Sequence, residues 1–421
     1  MINSTQLAHT TDVLSDVLLF RQPADVILSA FFRRQRKLGR QDRHEIAETV
    51  FAALRHLQKI QTALKKPHTQ AKKAALAALV LGRGVSVQAL SSLCNEEESA
   101  WLSALKSQKN TFADALNTAA ELPVELIAVL RQNGWQDDAI LAFGKTAMQN
   151  APLDVRVNIL KARRDAVLAQ WQAEDLHGTA TPLSPWGIRF ADKPAVNKHP
   201  LFLDGSVEVQ DEGSQLLALL TGAKRGQMIV DFCAGAGGKT LAVGAMMNNS
   251  GRLYAFDTAE KRLNNLKPRM IRAGLTNIHP QRIDDEHDKR IDRLHGKADC
   301  VLVDAPCSGL GTLRRNPDLK YRQSAERIAA LCTQQYSILS AAAQLVRIGG
   351  RLVYATCSVL PDENERQAER FLAENPSWKA LSAADLLTSQ KIPLNTGTYL
   401  RLNTAEHHTD GFFAAVFERV K

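Results

Sequence analysis

A chain of 421 residues exceeds what one hydrophobic core normally supports, so two or three domains are expected. Its 45% apolar and 23% charged residues describe a globular protein; no apolar run nears the roughly 20 residues of a membrane span, and the first thirty residues lack the basic-then-apolar pattern of a secretory signal, which points to a cytoplasmic protein with no membrane association. The formal charge of +9 favours a polyanionic partner such as nucleic acid, and six dispersed cysteines without a C-x-x-C pair argue against a zinc site or a redox dithiol.

Residues 1–145 read as helical. Ile46, Val50, Leu54, Leu57, Ile60 and Leu64 recur at helical spacing, with Asp42 and Glu45 placed as an N-cap and its N3 partner, and Leu122-Pro123 opens a later helix. The run Phe31-Phe32-Arg33-Arg34-Gln35-Arg36-Lys37-Leu38-Gly39-Arg40, followed by Lys65, Lys66, Lys72 and Lys73, interleaves basic and aromatic residues as an RNA-binding surface does. A solvated charged face with both phenylalanines in the core would read the same way. Between 146 and 205, Pro152, Pro182, Pro185, Pro194 and Pro200 punctuate short strand-like pieces, so a small α+β linker domain is expected. Arg156 and Asn158 in it are either RNA contacts or structural residues.

From 206 to 421 strands alternate with helices. Strands are predicted at 228–232, 252–256, 278–283, 301–303, 352–355 and 412–417, and a long helix before Gly349-Gly350 carries Ile328, Leu331, Gln335, Ile338, Ala342 and Leu345 on one face. This alternation predicts a parallel, doubly wound sheet with right-handed crossovers.

After the first of these strands comes Asp231-Phe232-Cys233-Ala234-Gly235-Ala236-Gly237-Gly238-Lys239-Thr240. Glycines at a strand-to-helix turn let a ligand approach the backbone, and the new helix offers free N–H groups. The spacing fits neither the P-loop nor the G-x-G-x-x-G fingerprint. Acidic residues at the next strand ends strengthen the reading as a nucleoside-cofactor site: Asp257, which could accept from both ribose hydroxyls, Asp284 or Asp285, with Asp284 favoured because it directly follows Ile283, and Asp304. The helix N-cap is the structural alternative for each.

The runs VLVDAPCSG (301–309) and LVYATCS (352–358) are apolar strands that end in small and polar residues, and each end carries a cysteine. Ligands of open α/β sheets sit outside the carboxyl ends of the strands, so Cys307 and Cys357 are expected to face one crevice with Asp304 beside them. Small buried core thiols are the alternative. His407-His408 is expected in a loop, and no metal site is assigned.

The combination of CAGAGGKT, Asp257, DAPCSG, Arg314-Arg315-Asn316-Pro317-Asp318 and ATCSVLPDENE resembles the Sun (Fmu) family of RNA cytosine-5 methyltransferases. The helical amino-terminal region with FFRRQRKLG is similar to the ribosomal RNA small subunit methyltransferase B type within it. One departure is Ala236, where the family usually has proline. The resemblance implies a Rossmann-like methyltransferase domain that uses S-adenosyl-L-methionine and an amino-terminal NusB-like RNA-binding domain; nothing in the sequence suggests an obligate protein partner. It carries cofactor contacts onto Cys233, Ala234, Gly235, Ala236, Gly237, Gly238, Lys239, Asp257, Asp284 and Asp304. It also implies that Cys357 is the nucleophile and Cys307 the residue that releases product.

That chemistry has a physical rationale. Carbon 5 of cytosine is a poor nucleophile until a thiolate adds to carbon 6, so covalent catalysis divides a hard step into easier ones. Lys239 is the nearest charge that could favour the Cys357 thiolate, and Asp304 could supply a proton to N3. Two rival expectations stand: a DNA cytosine-5 methyltransferase with Cys307 as nucleophile, and a non-catalytic RNA-binding assembly factor.

Overall fold

The computed structural model describes residues 2–108 and 111–421. The chain divides into two compact units, one holding the residues up to Asn150 together with Thr312–Ala325, the other Ala151–Gly311 with Glu326–Lys421. Among the described residues no helix is long and apolar enough to cross a membrane.

The first unit is built of helices around an apolar core in which Ile46, Val50, Leu54, Leu57 and Ile60 are all buried. The predicted periodicity is there, but it spans two helices, Arg40–Arg55 and Leu57–Ala63, that meet at His56. The start also differs from expectation. Gly39 is the N-cap and Asp42 stands at N3, where its carboxylate accepts the Gly39 N–H at 3.0 Å; Glu45 instead pairs with Arg83 at 2.7 Å. Gln6 and that backbone N–H both hydrogen-bond Asp42 and hold its carboxyl below the usual range. The Ala- and Leu-rich helix Ala71–Leu81 is buried on nearly every side because small residues let neighbouring helices approach it closely.

Thr312–Ala325, expected within the 206–421 domain, packs in this helical unit instead. Lys320 Nζ donates to the carbonyls of Glu121 (2.7 Å) and Arg55 (3.1 Å), Asp318 accepts the Ala24 N–H at 3.3 Å, and Tyr321 stacks on Phe20 with ring centroids 4.9 Å apart. Hydrophobic pattern alone cannot announce such a segment, because most of its anchors are polar and all lie far off in sequence.

The second unit contains two sheets. A small antiparallel sheet has the order β2 (Thr179–Ala180), β3 (Gly187–Phe190), β1 (Leu153–Val157), β4 (Val207–Val209), with fully buried Trp171 packed on Phe190 at 5.1 Å. The large sheet contains β5 (Met228–Asp231), β6 (Arg252–Asp257), β7 (Ile278–Arg282), β8 (Ala298–Asp304), β9 (Val346–Thr356), β10 (Trp378–Leu381), β11 (Leu400–Leu402) and β12 (Phe412–Arg419). Its order is β10-β12-β9-β8-β5-β6-β7, with β11 paired to β12.

Strands β5 to β9 pair in parallel, as expected of β-branched runs buried on both faces. The wholly parallel expectation fails beyond β9. There β12 runs antiparallel to β9, and β10 and β11 run antiparallel to β12, so the sheet is mixed. The long helix Ala325–Leu345 also ends before Gly349-Gly350, which lie inside β9, Gly349 with φ +73°. The glycines shape the entry to the strand next to a register shift between Ala298 and Cys300.

Candidate active site

Parallel pairing of β8 with β9 sets Asp304 opposite Ala355, so the loops carrying Cys307 and Cys357 leave the sheet side by side. With the carboxyl ends of β5 and β6 they line a cavity of about 570 Å³.

The glycine turn forms its floor. Gly237 has φ +86°, and a side chain there would overlap Leu266, so this position needs glycine for conformation and for packing. Gly235, at φ +57°, has open space where a Cβ would stand. The following helix, Gly238–Met246, has no side-chain cap, and its first residues, Gly238 and Lys239, line the cavity. Arg156, buried at 3% exposure, donates from Nη1 to the Gly238 carbonyl at 2.7 Å and to Gln210 Oε1. Burial draws its guanidinium down to about 10, and Glu208 partly offsets this. Asn158 is equally buried and holds the carbonyls of Gly205 and Ala273 at 3.0 Å each. Both have structural partners: Arg156 braces the glycine turn at Gly238, and Asn158 ties Gly205 to Ala273.

Asp231, at the end of β5, accepts from Thr240 Oγ1 at 2.6 Å, while its Oδ1 is buried without a hydrogen-bond partner. Burial pushes this carboxyl up to about 7; Asp304 and Asp257 add to the rise, against the Thr240 bond and Lys239. Asp257 accepts from the Gly235 N–H at 2.8 Å and the Ala259 N–H at 2.7 Å, and Ala259, not Asp257, caps the next helix. Two oxygens in fixed orientation with lone pairs to spare are what a ribose diol needs.

Lys239 Nζ lies 2.6 Å from Asp304 Oδ2. Burial works against the ammonium, but the charge of Asp304 and its hydrogen bond outweigh it, with Cys357 and Asp231 adding to them, and Lys239 stays above its ordinary range. The two sulfurs, Cys307 Sγ and Cys357 Sγ, are 3.3 Å apart and half-buried. The Cys307 thiol is raised well above the ordinary range, first by its hydrogen bond with Cys357, then by burial and by the charges of Cys357 and Glu363. Burial also raises Cys233, which lines the cavity beside Ala234, Gly235, Ala236 and Gly238.

Of the predicted residues, Gly237, which packs against Leu266, does not line the cavity, and neither does Asp284. Its carboxylate is exposed and pairs with Arg282 (3.1 Å) and Arg290 (2.7 Å), while Asp285 caps His287 N at 2.8 Å. The loop after β7 offers Ile283 and Glu286 to the cavity instead. The strand ends at Arg282 and the loop curls back on Asp288, which turns the first carboxylates outward. Gln210, Ser214 and Arg262 also line the cavity and carried no local signal.

Two family models match the chain: 16S rRNA methyltransferase RsmB/F over residues 218–418, and the RsmF/B-like ferredoxin-like domain over 126–197. The probable ribosomal RNA small subunit methyltransferase B of Synechocystis sp. is 39% identical over 63% of this chain and 60% of its own length. The ribosomal RNA small subunit methyltransferase B of Pseudomonas putida is 34% identical over 67% of this chain and 65% of its own. The chain thus spans about 60% of the length of the curated relatives it matches. Among solved structures PH0851 superposes over 100% of this chain and 99% of its own with a TM-score of 0.78 at 23% identity. NSun6 from Pyrococcus horikoshii, solved with SFG, covers 71% of this chain and 98% of its own with a TM-score of 0.62 at 20% identity. The structural likenesses establish the fold alone; the two family models, over residues 126–197 and 218–418, and the curated relatives identify the chain as a member of the RsmB/F methyltransferase family.

Proposed function

We propose that the protein methylates carbon 5 of a cytosine in small-subunit ribosomal RNA, with S-adenosyl-L-methionine as cofactor, through a covalent bond between Cys357 and the base. The observation that carries this reading is the 3.3 Å approach of Cys307 and Cys357 in a cavity shared with the Lys239–Asp304 pair and Asp257. Kinship supports it too, since relatives of 31–39% identity bear the small-subunit methyltransferase B name.

The cavity fits the cofactor. Asp257 would hold the ribose hydroxyls, the glycine turn and the Gly238 helix start its carboxylate end, and the orphaned Asp231 Oδ1 an amino group. When bound, the cofactor supplies an electrophilic methyl group on a sulfonium.

The chain's own residues do the rest. Either sulfur of the 3.3 Å pair can donate to the other; in this reading the proton stays on Cys307, whose thiol is raised by that hydrogen bond and by burial, and Cys357 is the attacking group. Cys357 Sγ then bonds to carbon 6. Negative charge building on the ring draws a proton to N3 from the Lys239–Asp304 pair. Once Cys357 is bonded to carbon, its hold on the Cys307 proton is lost, and that was the largest cause of the raised Cys307 thiol. Cys307 releases the proton to solvent and takes the one on methylated carbon 5; the carbon 6–sulfur bond then breaks with its electrons on Cys357, which leaves as thiolate while N3 returns its proton to the Lys239–Asp304 pair. This ordering disfavours Cys307 as the attacking group. The helical unit, whose Arg33, Arg34, Arg36, Lys37 and Arg40 are all exposed, is the RNA-binding domain in this reading.

The test is methyl transfer from labelled S-adenosyl-L-methionine to protein-free small-subunit ribosomal RNA, with a search for denaturant-resistant adduct. Cys357→Ala is expected to abolish transfer and adduct, and Cys307→Ala to accumulate adduct. An active Cys357→Ala protein with a dead Cys307→Ala protein overturns the assignment.

A further inference from the structure

One residue beyond each cysteine, the loops after β8 and β9 are tied to one carboxylate. Glu363 is fully buried at 0% exposure, and its partners are all hydrogen-bond donors from the two cysteine loops and the long helix. Its Oε1 accepts the Ser308 N–H at 2.8 Å and Gln335 Nε2 at 2.9 Å. Its Oε2 accepts Ser308 Oγ at 2.5 Å and Ser358 Oγ. The two serine hydroxyls are themselves 3.1 Å apart. Ser308 follows Cys307 and Ser358 follows Cys357, so one carboxylate grips the residue next to each thiol.

The grip is braced on three further sides. Gln335 also holds the Pro306 carbonyl at 2.9 Å, directly before Cys307. Tyr354, buried in β9, donates its hydroxyl to the Glu363 carbonyl at 2.6 Å. Asn364 Nδ2 donates to the Ser358 carbonyl at 3.1 Å, and its Oδ1 accepts from Thr356 Oγ1 at 2.5 Å. A buried carboxylate without a cation is costly unless donors satisfy it, and four donors here come from three separate segments. A simple core would use apolar residues at such a junction.

We propose that Glu363 is a positioning residue that sets the separation of the Cys307 and Cys357 sulfurs by clamping Ser308 and Ser358. The step it serves rests on the function proposed above, but the separation of the thiols can be read without that function. Phenylarsine oxide reports it, because one As(III) exchanges its oxygen for two As–S bonds with two neighbouring thiols and releases water.

Capture of phenylarsine oxide by Cys307 and Cys357 is measured by protection of both from alkylation, in the unmodified protein, in Glu363→Ala and in Glu363→Gln, each checked by circular dichroism. Glutamine rescues in this account. Its Oε1 replaces the acceptor for Ser308 N–H and Gln335, and its Nε2 faces serine hydroxyls that can turn to accept. Glu363→Gln is therefore expected to capture within about twofold of the unmodified protein and Glu363→Ala at least about tenfold more weakly, since an ångström of misplacement can cost up to a hundredfold. In methyl transfer, kcat of Glu363→Ala falls by a similar factor while KM for RNA holds. If Glu363→Ala does not fold, the Ser308→Ala/Ser358→Ala double variant carries the same expectation. Undiminished capture by a folded Glu363→Ala or by that double variant overturns the proposal, as does a Glu363→Gln protein as impaired as alanine. Absence of methyl transfer by the unmodified protein would count against the proposed function and leave the arsenical measurement intact.

Discussion

Cys307 Sγ and Cys357 Sγ stand 3.3 Å apart although fifty residues separate them in the chain, and that hydrogen bond is the largest of the causes that raise the Cys307 thiol. Removing the partner should therefore be visible in the titration of the survivor. In Cys357→Ala the midpoint of Cys307 alkylation by iodoacetamide, followed against pH by mass spectrometry, is expected to fall toward the ordinary thiol range. It should stop short of it, because burial and Glu363 still oppose the thiolate. An unchanged midpoint would mean that burial alone holds the proton.

Asp257 and Asp284 follow successive strands and look alike in the sequence, yet only Asp257 lines the cavity. Asp257→Ala should weaken S-adenosyl-L-methionine binding by roughly ten- to a hundredfold, the loss of one or two charge-assisted hydrogen bonds. Asp284→Ala should leave the affinity within about twofold, since it loses only exposed ion pairs with Arg282 and Arg290. Isothermal titration of both variants decides the matter, and equal losses would return Asp284 to the site.

The Asp231 carboxyl, raised by burial from 3.8 to about 7, makes stability depend on pH with a definite sign. A group whose folded value lies above its unfolded value contributes stability that is complete below about 4 and is lost as pH rises toward 7. Asp231→Asn removes this dependence. Its melting temperature should exceed that of the unmodified protein at pH 8 and approach it near pH 4, with a gap on the order of a few kcal/mol at most. A gap that grows toward acid pH would contradict the raised value.

Gly311 lies where two loops touch. Its N–H donates to the Cys357 carbonyl at 2.9 Å and its carbonyl accepts the Gly411 N–H at 2.8 Å; an added Cβ would overlap the Gly411 carbonyl and lie 2.8 Å from the Cys357 carbonyl oxygen. Gly311→Ala is expected to cost roughly 1–3 kcal/mol of stability by overpacking and to lower methyl transfer more than it lowers cofactor affinity. Urea denaturation and cofactor titration measure the two effects. A fully active variant would show that the Cys357 loop tolerates displacement.

How much of this was legible beforehand follows from the range of each interaction. The amino-acid sequence determined the parts that depend on near neighbours. Helical spacing gave the buried face of Ile46, Val50 and Leu54, the β-branched runs before Asp304 and Thr356 gave two central strands, and the glycines after Asp231 gave a strand-to-helix turn, because period and backbone freedom are local properties. Placing both cysteines at strand ends was within reach for the same reason. Tertiary structure alone decided what required distant segments to meet. The antiparallel return of β12 depends on which edge of β9 stays unpaired, and the exchange of Asp284 for Glu286 depends on how one loop curls onto Asp288. The packing of Thr312–Ala325 among the amino-terminal helices depends on the buried carbonyls of Glu121 and Arg55. Glu363 shows the limit most plainly: an acidic residue in a loop sequence reads as solvent-facing, and only the convergence of Ser308, Ser358 and Gln335 supplies the donors that let its charge be buried.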